Sequence, residues 1–141
     1  MKKFETIDKR TFLSTLWVFV TVNYAYCDIF TLFYSEELKK ILSGKMGGMT
    51  IDQNFLLAFS IVLEIPILMI LLSRVLHFKI NRFANILAGL VMTVIQCWSL
   101  FSSSPTKHYV FFSIIEIATT SFIVWYAWKW TAFNPIKNNN E

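Results

Sequence analysis

Residues 53–73 read QNFLLAFSIVLEIPILMILLS, a stretch of twenty-one residues with one ionisable side chain, Glu64. An α-helix rises about 1.5 Å per residue, so the stretch is about 30 Å long, the thickness of the hydrocarbon core of a bilayer. Three further blocks have the same character: 12–34, which contains LWVFVTVNYAYCDIFTLFY, then 83–102 and 107–130. Their apolar residues are gathered in blocks instead of alternating or recurring at amphipathic intervals, and that is the pattern of membrane spans. Composition points the same way. The chain is 55% hydrophobic with a mean hydropathy of +0.52, and 16% of it is charged, where a soluble domain carries about 25%. The expected fold is all-α: one transmembrane domain over 1–141, built as an integral membrane four-helix bundle.

The first residues, MKKFETIDKR, are basic like the start of a signal peptide. The apolar stretch behind them is too long and has no small-residue cleavage site, which predicts an uncleaved first span. The Asn-rich end, within 131–141, reads as a disordered tail. Basic residues set the orientation. Lys2, Lys3, Lys9, Arg10, Arg74, Lys79, Arg82, Lys129 and Lys137 fall on one side, and Lys39, Lys40, Lys45 and Lys107 on the other. The positive-inside rule then puts both termini in the cytoplasm. Trp17, Trp98, Tyr109 and the run WYAWKW at 125–130 read as interfacial aromatics. The net charge of +4 suits an anionic leaflet and predicts no nucleic-acid partner.

The first loop contains SEELKKILSG at 35–44. Ser35 is placed to cap, Glu36 and Glu37 to occupy the positive end of a short helix, Lys39 and Lys40 to follow, and Gly44 to end it. The expectation is a short amphipathic helix, lying on the outer interface or over the bundle mouth as a lid. Gly47-Gly48 predicts a turn, the step from Thr50 to Gln53 a capping box, and Ser104-Pro105 an N-cap with proline at the first helical position.

Charged groups at the bilayer centre cost about 2.5–3.5 kcal/mol on insertion scales, so those present normally face protein or water. Asp28, Glu64 and Glu116 lie within predicted spans, at depths of about 9, 16 and 14 Å from the outer ends, with Gln96 near about 9 Å. At spacings of three, four and seven they share helix faces with other polar groups: Ser14, Trp17, Thr21, Tyr24 and Thr31 with Asp28; Ser60 with Glu64; Asn85, Gly89, Thr93 and Ser103 with Gln96; Tyr109, Ser113 and Thr120 with Glu116. Turning all four stripes inward predicts a polar pocket open toward the outer side. Its candidate ligand- or ion-binding residues are Glu64, Glu116, Asp28, Gln96, Tyr24, Ser60 and Ser113. Other roles stay open: Asp28 as an interfacial residue, Glu64 and Glu116 as neutral interhelical hydrogen-bonding groups, and Pro66 as a kink or a packing feature. Cys27 and Cys97 form no CxxC pair, and His77 and His108 fall at opposite faces, so neither a metal site nor a haem is expected and no cofactor motif occurs.

The tyrosine-rich first span carrying Asp28, the step Glu64-Ile65-Pro66, the basic turn from Arg74 to Asn81-Arg82, and Glu116 followed by WYAWKW together resemble a family of small four-span bacterial membrane proteins of unknown function. More distantly the layout is similar to DoxX-type four-helix proteins. The resemblance implies the fold and a place in the bacterial cytoplasmic membrane, and supplies no activity. The leading expectation is a pocket that binds, or transports with protons, a cation or a small cationic or hydroxylated molecule, in a bundle that forms homo-oligomers. A non-transporting subunit that docks a partner is the alternative. A membrane-embedded enzyme using paired carboxylates is a third, without a nucleophile, metal-ligand cluster or cofactor motif to support it.

Overall fold

The computed structural model describes residues 8–102 and 104–131. In these the chain forms α1 (Lys9–Phe33), α2 (Ser35–Leu42), a two-stranded hairpin of β1 (Lys45–Met46) and β2 (Met49–Thr50), then α3 (Gln53–Val75), α4 (Phe78–Ser102) and α5 (Lys107–Trp128). The four long helices, α1, α3, α4 and α5, are long and apolar enough to cross a membrane. They run up and down in turn, so α2 and the hairpin close one end of the bundle while the start of α1 and the end of α5 lie at the other. We call these the α2 end and the terminal end. Around the bundle, α1 packs between α3 and α5, and α4 packs on α5 and, less closely, on α3. The tail from 132 on, Ser103 and the first seven residues lie outside the described residues.

Several helix ends differ from expectation. α4 starts at Phe78 and not at 83. Lys79 and Arg82 look like loop residues by charge, yet they sit in the first turns of the helix, where a long side chain reaches polar surroundings. Arg82 uses its position to donate from a guanidinium nitrogen to the Trp128 carbonyl at 2.9 Å. At α3 the cap is Asp52, whose carboxylate accepts the Phe55 N–H at 2.7 Å. Thr50 is occupied in β2, paired with Lys45, so the capping box does not form. Ser35 is the first residue of α2, and Tyr34 joins α1 to α2 as the cap of both. Before α5 the cap is Thr106, one residue beyond Pro105. Gly44 follows the end of α2 with a φ of 77°, and Gly47 and Gly48, at 55° and 83°, form the hairpin turn. These are left-handed conformations that a Cβ disfavours, and the last two match a two-residue hairpin turn.

The apolar core is built by Leu13, Trp17 and Val20 of α1, Met69 of α3, Ala88 and Met92 of α4, and Ile123 of α5. Gly89 sets the closeness of α4 to α5: a Cβ there would lie 2.6 Å from Val124 Cγ2 and 3.2 Å from the Thr120 carbonyl oxygen. Small residues at such crossings let membrane helices approach closely.

A polar knot ties the terminal end. Trp17 donates its indole N–H to Asn85 Oδ1 at 2.7 Å, and Ser73 donates its hydroxyl to the same oxygen at 3.2 Å. Asn85 Nδ2 donates to Asn81 Oδ1 at 2.6 Å, and Asn81 Nδ2 donates to the Ser73 carbonyl at 2.6 Å. Ser14 donates to the Ile70 carbonyl at 2.8 Å and accepts from Arg74 Nε at 3.2 Å. Trp17 is fully enclosed, which corrects its reading as an interfacial aromatic: its indole N–H has a partner inside the bundle. Side-chain hydrogen bonds thus join α1, α3 and α4, with Asn85 accepting from Trp17 and Ser73 and Asn81 donating to the Ser73 carbonyl.

Candidate functional site

Toward the α2 end the polar interior changes character. Glu116 on α5 is fully enclosed, and neither of its carboxyl oxygens has a hydrogen-bond partner. The Tyr24 hydroxyl on α1 is also buried without a partner. One turn from Glu116, the fully buried Ser113 accepts a hydrogen bond from Gln96 Nε2 of α4 at 2.9 Å. Thr120 Oγ1, on the other side, lies 2.9 Å from the Glu116 carbonyl and 2.7 Å from Thr93 Oγ1. Tyr109 pairs its hydroxyl with Ser99. Buried polar groups are satisfied in the great majority of cases, and those that are not call for an explanation such as a functional role or an ion.

The group nearest in kind is Asp28. It lies half-buried on α1, five residues from the end of that helix, within electrostatic range of Glu116. Tyr24, Cys27 and Tyr109 are also within electrostatic range of Glu116. Asp28 lines a cavity of about 270 Å³ between α1 and α3. Thr31 adds a hydroxyl, Leu32, Phe55 and Phe59 form apolar walls, and Ile41 of α2 and Met46 of β1 complete its lining. The volume is near the lower end of ligand pockets, about 300 Å³. His108 Nε2, 3.3 Å from Thr31 Oγ1, stands at the same end.

Of the residues named from sequence, the structure brings together Asp28, Tyr24, Gln96, Ser113 and Glu116. It does not bring Ser60 or Glu64 to them. Both are exposed on α3, and Ser60 spends its hydroxyl on the Leu56 carbonyl of its own helix at 2.8 Å. The buried face of α3 carries Pro66, Met69 and Ser73. At about 100° per residue Glu64 lies about 200° from Pro66, on the opposite side of the helix. Three polar stripes face inward and the fourth faces out, so the interior acids are Asp28 and Glu116. Cys27, buried beside Asp28 in sequence, and the hub residues Ser73 and Asn81 were not among the candidates. Asn81 and Asn85, four apart, were the available signal for the hub, because two amides on one face of an apolar helix need partners from another.

Fold and site together define an all-α protein with four helices long and apolar enough to cross a membrane and a buried, unpartnered carboxyl group among them. The chain belongs to the family of unknown function DUF6326, whose family model matches residues 1–135. No curated protein and no solved structure matches it.

Proposed function

We propose that the α2 end of the bundle holds a binding site for a small organic cation, exchanged against protons at Asp28 and Glu116. The observation that carries this reading is the enclosure of Glu116 with both carboxyl oxygens unpartnered. A carboxylate buried alone in a low-dielectric interior is too costly to persist, so the group either carries a proton or meets a cation. A site that accepts one or the other couples them without further machinery. Asp28 lines the cavity beneath α2, and Tyr24, Gln96, Ser113 and Tyr109 supply hydroxyl and amide groups on the inward faces that also carry Glu116. Walls of Leu32, Phe55 and Phe59 favour a cation with apolar substituents over a hydrated metal ion.

In this reading the α2 end is the outer side, both termini are cytoplasmic by the distribution of basic residues, and the membrane is the bacterial cytoplasmic one. α2, with Glu36, Glu37, Lys39 and Lys40 on its surface, lies along the outer interface and covers the cavity. The test is proton release. Protein in vesicles loaded with a pH-sensitive dye is challenged with tetramethylammonium and tetraphenylphosphonium. The expected result is release of protons with the bulkier cation, absent in Glu116→Gln; equal traces from empty and protein-bearing vesicles would contradict the proposal.

A further inference from the structure

On α3 one ionisable group, Glu64, faces away from the rest of the bundle. Glu64 has eleven residues of its helix on either side, which puts it about 16 Å from each end. It is exposed, on the side turned away from α1 and α4. In a bilayer that position is hydrocarbon, and a carboxyl group there needs a protein partner. Around it run Leu57, Ile61, Leu68, Leu71 and Val75, all exposed. Their spacing with Glu64 is four, three, four, three, four, the period of a coiled-coil seam with one polar position at its middle.

We infer that this seam pairs with the same seam of a second copy, forming a symmetric dimer in which the two Glu64 side chains meet at the axis. The occupant follows from the chemistry of the seam. In a parallel pair about a two-fold axis each seam residue lies opposite its own copy. A carboxyl group is unusual in being able to satisfy itself in that arrangement, since two carboxyls can share protons as donor and acceptor to each other. Aliphatic side chains on both sides then pack as in left-handed membrane helix pairs. No Lys, Arg or His lies on α3 between Gln53 and Ser73 to serve Glu64 instead. A single polar residue in such a seam also fixes register, because slippage by one heptad would leave both carboxyls against leucine or in lipid.

The test uses the full-length chain in vesicles with Cys27→Ala and Cys97→Ala as background. Single cysteines are introduced at Ile61 and Leu68 on the seam and at Val94, which is also exposed, on α4. Under mild oxidation the seam positions are expected to give a disulfide-linked product at twice the chain mass of 16.5 kDa, several-fold above the yield at Val94. Adding Glu64→Gln retains the product, because an amide is still both donor and acceptor, whereas Glu64→Lys, with donors only, reduces it to the Val94 level. Seam yields no higher than that of Val94 would overturn the dimer. Seam yields unchanged by Glu64→Lys would overturn the pairing of Glu64.

Discussion

Trp17 and Asn85 meet across the interior at 2.7 Å, the indole N–H of α1 donating to the side-chain oxygen of α4. That oxygen also accepts from Ser73, and the amide nitrogen of Asn85 holds Asn81. One side chain therefore joins three helices at the terminal end. Asn85→Leu should strand the Trp17 donor and the Asn81 acceptor and destabilise the bundle by about 1–3 kcal/mol, the range for buried groups left unpaired. Trp17→Phe, which removes a donor and leaves no orphan on α1, should cost less. Denaturant titration in mixed micelles measures both, and equal losses would contradict the central place of Asn85.

The α4–α5 crossing depends on Gly89. Alanine there gains about 1 kcal/mol of helix propensity, but its Cβ falls 2.6 Å from Val124 Cγ2 and close to the Thr120 backbone. Overpacking of this kind costs about 1–3 kcal/mol. Gly89→Ala should therefore be neutral to destabilising, and Gly89→Val strongly destabilising. Gly89→Ala with Val124→Ala should recover most of the loss in thermal unfolding, since the second change removes the clashing methyl.

Asp52 caps α3 through the Phe55 N–H. Asp52→Ala should destabilise by about 1 kcal/mol and Asp52→Asn by a few tenths. Hydrogen exchange at the first turn of α3 is the direct measurement: protection should fall in the alanine variant and stay near wild type in the asparagine one.

A functional Glu116 and a structural one predict opposite stabilities. With both oxygens unpartnered, Glu116→Leu removes no hydrogen bond and should unfold within about 1 kcal/mol of wild type, or later. A loss of about 3 kcal/mol would mean that the carboxyl group is interhelical glue.

The four spans were legible because a helix in hydrocarbon needs about 20 apolar residues, and the sequence supplies them in four blocks. Their ends were less so. Lys79 and Arg82 read as loop by charge, but they belong to α4, since a helix continues through the interface while its charged side chains reach outward. The faces of α1, α4 and α5 followed from their polar stripes. For α3 the same reasoning failed at Ser60 and Glu64, because that helix turns Pro66, Met69 and Ser73 inward and leaves both polar groups on its outer face. Trp17 illustrates the converse: tryptophan near a span end suggests an interface, and only the position of Asn85 on a distant helix shows why it is buried. That Asp28 lies within electrostatic range of Glu116 depends on which helices are neighbours around the bundle, and one sequence does not carry that.

In the proposed function the carboxyl group of Glu116 exchanges a proton for a cation. Infrared difference spectroscopy on the membrane-embedded protein, recorded before and after adding tetraphenylphosphonium, observes that group directly through the carbonyl stretch of a protonated carboxylic acid. The predicted result is loss of one such band on adding the cation, with the band missing from Glu116→Gln and retained in Glu64→Gln. A spectrum in which no protonated carboxyl responds to the cation, or in which the responding band survives Glu116→Gln, would contradict it.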